Sequence, residues 1–60
     1  MTYTETKKEY VIESLGKGQT ILAVDFQTMK VMDCVNMTIN TINSYIAKPE
    51  IKFFKVTSNE

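Results

Sequence analysis

Cys34 is the side chain in this sequence best suited to covalent chemistry, because a thiolate is a strong nucleophile. Catalysis would require a neighbouring base or cation to lower the pKa of the thiol, and the sequence contains no histidine. We therefore expect Cys34 to pack as a small hydrophobic side chain, with an intersubunit disulfide as the alternative. A single cysteine also excludes an intramolecular disulfide, and without histidine it offers no credible zinc site.

Two pairs of carboxylates, Asp25 with Asp33 and Glu9 with Glu13, are the candidates for general acid–base catalysis. Such a pair needs a pocket that separates the two pKa values, and a chain of 60 residues has little room for one. We expect Asp25 to cap a helix, and the two glutamates to lie on a solvated strand face or its charged rim. We predict no catalytic residue, no metal site and no cofactor.

Gly16, Lys17 and Gly18 resemble a fragment of a phosphate-binding loop. The residues that follow are typical of a strand, so no helix N-terminus would point at a phosphate group. Because glycine tolerates positive φ angles, we interpret this triplet as the turn of a β-hairpin.

Two segments rich in β-branched and aromatic side chains flank this turn and are predicted to pair with each other. Residues 7–15 form the first strand, which in one alternative begins as early as Tyr3. Residues 20–26 form the second strand. The hairpin is the first element that would position any functional side chain in this chain.

The length of the hairpin loop sets which residues lie opposite each other. A three-residue loop would place Ile12 opposite Leu22 and Tyr10 opposite Val24, which gathers apolar pairs on one face. A four-residue loop would place Glu13 against Leu22, which is a poorer match of polarity and burial. We favour the first register and take its apolar face as the core.

The most regular pattern lies in the middle of the chain, where apolar side chains recur at alternating intervals of three and four residues. This spacing predicts an amphipathic helix. Its apolar stripe is formed by Met32, Val35, Ile39, Ile42 and Ile46. Asp25 or Thr28 would cap the start, with Asp33 as a later alternative, and the helix would end near Ala47 because Pro49 stops its propagation.

A third strand is predicted over residues 51–56, which are rich in β-branched and aromatic side chains. The fold class is therefore α+β, with a β-hairpin, one amphipathic helix and a third strand in the order ββαβ. Residues 1–60 form a single domain, and residues 1–6 and 57–60 are expected to fray at the termini.

One helix can cover only one face of a small sheet, and the other face of the predicted sheet is also apolar. On that reverse face the third strand contributes either Phe53 with Ile51 or Phe54 with Val56, of which we assign the second pair. The predicted interface comprises Val11, Leu15, Ile21, Ala23, Phe54 and Val56. An apolar patch with a charged rim is typical of a contact surface, so we predict a homo-oligomer, most simply a dimer. Sheet faces, sheet edges and helices remain alternative ways to form it.

The charge composition argues against several classes of ligand. Seven lysines balance seven acidic residues, so no overall field would attract nucleic acid or an anionic membrane. The absence of arginine removes the side chain that contacts guanine edges with two hydrogen bonds. No apolar run approaches the roughly 20 residues of a membrane span, and no secretory signal is apparent. With its lone cysteine, the chain is expected in the cytoplasm.

The outward face of the predicted helix is uncharged but rich in hydrogen-bonding groups, which is unusual for a solvated helix. We interpret it as a second contact surface, with a biased nucleotide composition of the source genome as the alternative explanation. This surface comprises Asn36, Met37, Asn40, Thr41 and Ser44.

These patterns favour a small non-enzymatic interaction module that forms a homo-oligomer and binds another protein, of the kind found among bacterial or phage accessory proteins. The alternative is a nucleic-acid-binding module in which dimerisation gathers lysines into a basic stripe. That stripe would comprise Lys7, Lys8, Lys17, Lys52 and Lys55. A third hypothesis is an enzyme whose active site forms only between subunits.

Overall fold

The computed structural model describes residues 1–57, which form a four-stranded antiparallel sheet with two short helices packed on one of its faces. Short 3₁₀ turns at Lys8–Tyr10 and Cys34–Asn36 lead into the two helical regions. In chain order the elements are β1 (Thr2–Thr6), α1 (Val11–Gly16), β2 (Thr20–Asp25), β3 (Lys30–Asp33), α2 (Ile39–Ile46) and β4 (Ile51–Thr57).

The strand order across the sheet is β1-β4-β2-β3, with every neighbouring pair antiparallel. Strands β1 and β2 therefore run in the same direction with β4 between them, and α1 connects them. Strands β3 and β4 run in the same direction with β2 between them, and α2 connects them. The two β-α-β units thus interleave, and the last strand of the chain becomes an inner strand of the sheet.

The core lies between the sheet and the helices. Alternate residues of the two inner strands point toward the helices, as the period of two along a strand requires. Val11 from α1, Cys34 from the second 3₁₀ turn and Ile42 from α2 cover them. The buried strand residues are Ile21, Ala23, Ile51 and Phe53, each exposed by 1% or less.

Residues 7–15 are not a strand, which corrects the first element of the predicted hairpin. The 3₁₀ turn and α1 occupy this segment, with Val11 buried and Leu15 packed against the core one helical turn later. Gly18 has a φ of 81°. Its N–H donates to the carbonyl oxygen of Leu15, and the N–H of Gln19 donates to that of Ser14. This pattern is a Schellman motif, so the segment Gly16–Lys17–Gly18 ends a helix and is not the turn of a hairpin.

The predicted register between the first two strands is therefore also wrong. Strand β2 pairs with β4 on one side and with β3 on the other. Tyr10 and Ile12, which we expected in the core, are exposed by 51% and 38%. Burial of Val11 against the sheet outweighs the β-propensity of this segment, because propensity is weak compared with tertiary packing.

The predicted long helix begins only at Ile39, after all three proposed N-caps, Asp25, Thr28 and Asp33. Asp25 Oδ1 accepts hydrogen bonds from the N–H groups of Gln27 and Thr28, which forms the turn of a β2–β3 hairpin. Met29 completes that turn with a φ of 58°. The Asp33 carboxylate caps only the second 3₁₀ turn, by accepting from the N–H of Val35 at 2.9 Å.

Thr38 caps α2, because its Oγ1 accepts a hydrogen bond from the N–H of Thr41 at 3.2 Å. The helix ends at Ile46 with Ala47 as its C-cap, which confirms the predicted end before Pro49. The third predicted strand, residues 51–56, is also confirmed as β4.

The α+β class is thus confirmed, while the order ββαβ is wrong and the observed order is βαββαβ. Residues 2–6 of the terminus that we expected to fray form edge strand β1. Thr57 ends β4, and the other residues of the predicted fraying C-terminus, 58–60, lie outside the described part of the chain.

Candidate functional site

Seven apolar side chains lie on the sheet face opposite the helices, and we call this surface the open face. Strand pairing brings them together, since residues directly opposite each other in an antiparallel sheet share a face. Tyr3 lies opposite Val56, Leu22 opposite Phe54, and Val24 opposite Val31. The complete set is Tyr3, Leu22, Val24, Phe26, Val31, Phe54 and Val56.

The open face is accessible to solvent and slightly concave. Tyr3 is exposed by 57%, Phe26 by 47% and Val31 by 63%, although all three are large apolar side chains. The rings of Phe26 and Phe54 have centroids 6.4 Å apart and are tilted by 60°, which is favourable geometry for an aromatic pair. Between these side chains lies a shallow depression of about 330 Å³.

Charged residues stand around this apolar surface on three of its sides. Glu5 lies opposite Phe54 at the β1 edge, and Asp33 lies opposite Leu22 at the β3 edge. Lys52 lies opposite Val24 on the open face, and its Nζ is 5.8 Å from the centroid of the Phe26 ring. An apolar centre with a polar rim is the usual composition of a protein–protein contact surface.

The structure divides the six predicted interface residues between the two sides of the sheet. Phe54 and Val56 lie on the open face. Val11 of α1 and Ile21 and Ala23 of β2 are fully buried between the helices and the sheet, and half-buried Leu15 packs against this core. In β2 the two faces are therefore exchanged relative to our expectation, because a shift of one residue moves every side chain to the opposite face.

Sequence reasoning missed five residues of the open face, namely Tyr3, Leu22, Val24, Phe26 and Val31. Residues 20–26 alternate between two faces, and we assigned the face with the larger apolar side chains, Leu22, Val24 and Phe26, to the core. Val31 was hidden within the predicted helix. The available signal was Gly18, since a glycine just after an apolar helical spacing is typical of a helix C-terminus.

A second apolar groove lies on the helical side, between α1 and the segment that includes α2. Its volume is about 340 Å³, and buried Cys34 and Ile42 form part of its lining. Three exposed side chains surround it, namely Ile12, Val35 and Ile39. Val35 and Ile39 belong to the predicted helical stripe but do not reach the core.

The predicted polar surface of the helix is only partly intact. Asn36, Asn40 and Ser44 are exposed. Met37 is half-buried and packs against the core, so it does not point outward as expected. Thr41 is half-buried, and its hydroxyl lies 3.0 Å from that of Thr38.

The residues considered for catalysis do not converge in the structure. Burial raises the pKa of the Cys34 thiol, and the neighbouring Asp33 carboxylate raises it further, so the reactive thiolate is disfavoured. Asp25 and Asp33 lie at opposite ends of the β2–β3 ladder, three residues apart along β2. Glu9 lies in the first 3₁₀ turn and Glu13 in α1, so neither stands on the strand face that we expected. Glu13 is paired with Lys17 at 3.2 Å on the surface of α1.

Within residues 1–57, no group of three or more histidine, cysteine or acidic side chains is placed to hold a metal ion. Over the same residues, neither helix has the length and apolar composition needed to traverse a bilayer.

Within a single chain, the five lysines of the stripe predicted across a dimer lie at both ends of the sheet. Lys17 is at the C-terminal end of α1, and Lys55 is half-buried on the helical side of the sheet. Lys7, Lys8 and Lys52 instead lie at the other end of the sheet.

Lys48 joins the group at this end, because Lys8 Nζ donates a hydrogen bond of 2.7 Å to the Lys48 carbonyl oxygen. We call Lys7, Lys8, Lys48 and Lys52 the lysine end.

Comparisons of the chain with protein-family models, with curated proteins and with solved structures find no match. The functional argument therefore rests on the surfaces just described.

Proposed function

We propose that this chain is a small, non-enzymatic interaction module that forms a homodimer through its open face. The observation that carries the proposal is the continuous apolar surface on the side of the sheet that has no helix. Contiguous exposed apolar patches are rare on soluble monomers and usually mark a contact surface. The lone cysteine supports a reducing, cytoplasmic setting for this module.

The distribution of apolar side chains in β2 supports the proposal, because this inner strand presents more apolar side-chain area to the open face than to the core. Leu22, Val24 and the following Phe26 point to the open face, while Ile21 and the small Ala23 point to the helices. An independent monomer gains more by burying the larger set, since the stabilisation scales with the apolar area removed from water. A covered open face accounts for this distribution.

A second copy of the chain is the partner that suits this surface best. A twofold dimer uses the same patch on both subunits, so one apolar surface with a rim of both charge signs satisfies both sides. The net charge of zero leaves no overall repulsion between two copies. A standard interface takes roughly 800 Å² from each partner, about a fifth of the 4295 Å² accessible surface. One broad face of a body measuring 33 × 23 × 19 Å is of this size.

Sedimentation equilibrium of charge variants tests the proposal. We expect the wild-type chain to be dimeric at tens of micromolar concentration, and Leu22→Glu and Val31→Lys to be monomeric, because each would bury an unpaired charge in the interface. Asn43→Lys, on the exposed surface of α2, is the matched control and should remain dimeric.

Two results would count against the proposal. A wild-type chain that is monomeric at about 100 µM has no interface of standard strength. A dimeric Leu22→Glu variant, folded as judged by circular dichroism, would show that copies pair through the sheet edges or the helices and not through the open face, on which Leu22 lies.

A further inference from the structure

The apolar side chains of the open face form a diagonal stripe across the sheet. Successive pairs of opposed apolar residues step by one strand, from β1 and β4 to β4 and β2 and then to β2 and β3. These pairs are Tyr3 with Val56, Phe54 with Leu22, and Val24 with Val31. The direction of this stripe limits how two copies of the chain can meet.

Polar residues of the paired strands occupy the two corners that the stripe leaves on the open face. Glu5 and Lys52 lie in the corner near edge strand β1, where they are opposite Phe54 and Val24. Thr20 and Asp33 lie in the other corner, near edge strand β3. All four are exposed. Lys52 is the residue of the lysine end that belongs to a strand, so its position on the open face is fixed by the register.

The charges of Lys52 and Asp33 have no opposite charge bound to them. Neither side chain takes part in an ion pair within residues 1–57. Asp33 Oδ1 accepts a hydrogen bond from the N–H of Val35 at 2.9 Å, which orients the carboxylate and leaves its second oxygen available. Lys52 Nζ lies 5.8 Å from the centroid of the Phe26 ring, so the ammonium group leans over the stripe.

A twofold dimer can bury the stripe against its own copy in two ways. The axis lies between the two sheets, and it runs either across the stripe or along it. An axis across the stripe sets each corner against the same corner of the partner, so that Asp33 faces the partner's Asp33. Like charges that face each other in an interface are costly. An axis along the stripe sets opposite corners against each other, so that Lys52 faces the partner's Asp33.

The strand geometry aligns these two side chains when the axis runs along the stripe. With strands about 4.8 Å apart and residues about 3.4 Å apart along each strand, Lys52 and Asp33 lie roughly 5 and 7 Å from the middle of the stripe, on opposite sides. Their positions along the stripe differ by only about 2 Å on the same spacing. Glu5 is displaced from the position of Asp33 by about 7 Å along the stripe, so it faces the partner's Thr20 instead.

We propose that Lys52 of each subunit forms an ion pair with the partner's Asp33, and that these two equivalent pairs fix the orientation of the dimer. The pairs rest on the homodimer proposed above, because they exist only where two open faces meet. Burial of the stripe supplies most of the affinity, and the charges exclude the orientation in which Asp33 would face its own copy. Specificity of this kind comes from repulsion in the wrong arrangement as well as from attraction in the correct one.

A double-mutant cycle measured by sedimentation equilibrium at low salt tests the ion pair. Lys52→Gln and Asp33→Asn each remove one charge, and the asparagine keeps an oxygen that can accept from the Val35 N–H. We expect each substitution to raise the dissociation constant of the dimer about tenfold, because both symmetric pairs are lost. The double variant should dimerise no more weakly than the single variants, since the second substitution removes a side chain whose partner is already gone.

Glu5→Gln is the matched control, because it removes a carboxylate from the same face. It should leave the dissociation constant within about twofold of the wild type and should be additive with Lys52→Gln. Additive effects of Lys52→Gln and Asp33→Asn would overturn the ion pair. Coupling of Lys52 to Glu5 instead would assign the axis across the stripe. Asp33→Ser, which also places an oxygen at the cap, completes the cycle if Asp33→Asn does not fold.

Salt and oligomeric state separate this pair from the dimer itself. The wild-type dissociation constant should rise as salt increases from about 50 to about 500 mM, and that of Lys52→Gln should rise less, since screening acts on charges. A dimeric wild type with equal salt dependence in both proteins would contradict the ion pair and leave the dimer intact. A wild type that is monomeric at about 100 µM would contradict both.

Discussion

Single residues with unusual backbone requirements decide where this chain changes direction. Gly18 adopts the left-handed region at the end of α1, and Met29 adopts it in the β2–β3 turn. Only the first of these is a glycine, which has no Cβ to clash with the carbonyl oxygen in this conformation. The junction between α1 and β2 therefore requires a glycine at position 18. Gly16 does not have a positive φ, so its position carries no such requirement.

We predict that Gly18→Ala destabilises the fold by about 1 kcal/mol, because an alanine at a φ of 81° is strained. A Cβ at Gly16 or Gly18 would meet no atom within 4 Å beyond the local backbone and the adjacent residues, so tertiary crowding contributes nothing at these positions. Gly16→Ala, within α1, should be neutral or stabilising by up to about 1 kcal/mol. Urea unfolding of both variants measures the difference, and equal stabilities would refute the assigned motif.

At the scale of elements, the β2–β3 hairpin depends on one side chain. Its turn is held by the Asp25 carboxylate, whose pKa is lowered chiefly by the hydrogen bond from the Gln27 N–H and also by that from Thr28. A lowered pKa in the folded state means that ionised Asp25 stabilises the hairpin at neutral pH. This stabilisation is lost as the pH falls through the folded pKa.

The stability difference between wild type and Asp25→Asn should therefore depend on pH. At about pH 7 the variant should be less stable, since a neutral amide oxygen accepts these hydrogen bonds more weakly than a carboxylate does. Below the ordinary pKa of 3.8 the gap should narrow, because the wild-type carboxyl group also becomes neutral. Urea unfolding of both proteins at about pH 7 and about pH 2.5 measures this gap, and a constant gap would contradict the role assigned to the charge.

The elements that the sequence predicts well are those set by local chemistry. Pro49 ends α2 whatever surrounds it, and the β-branched and aromatic composition of β4 suits a strand on either face. Residues 7–15 and 28–36 were misassigned because their preferences are weak and tertiary pairing decides between them. Val11 lies in a helix, from which its side chain is buried in the core. Val31 pairs with Val24 in the sheet, although it lies within the segment that we predicted to be helical.

The sequence predicts an apolar contact surface on one face of the sheet, but it does not predict most of the residues that form it. Apolar side chains on both sides of β2 were evident from the sequence, and the structure has them there. Which side would be covered could not be read locally, since it follows from where α1 ends and from the insertion of β4 between β1 and β2. Phe54 and Val56 lie on the open face, as one of the two alternatives for this strand has them, because the regular alternation of β4 fixes which residues share a face but not which face is covered.

At the scale of the whole molecule, the core is small for an independent domain. Seven residues are buried within the described chain, and a domain of 60 residues buries only about 60% of the surface that its unfolded chain exposes. Leu22, Val24, Phe54 and Val56 are half-buried and gain further stabilisation only if another surface covers them. Folding and assembly are then linked, because a partner that binds only the folded state stabilises it.

This linkage predicts that the melting temperature of the wild type rises with protein concentration. Each tenfold increase adds about 1.4 kcal/mol per dimer, or about half of that per chain, and 1 kcal/mol shifts the melting temperature of a domain this small by roughly 4–8 °C. Differential scanning calorimetry between about 10 µM and 1 mM should therefore show a rise of several degrees. Val31→Lys should melt at one temperature throughout this range, since its exposed position on edge strand β3 tolerates the charge in a monomer. A wild-type melting temperature that does not change with concentration would mean that the open face remains uncovered, and that the larger apolar side chains of β2 face solvent in the working molecule.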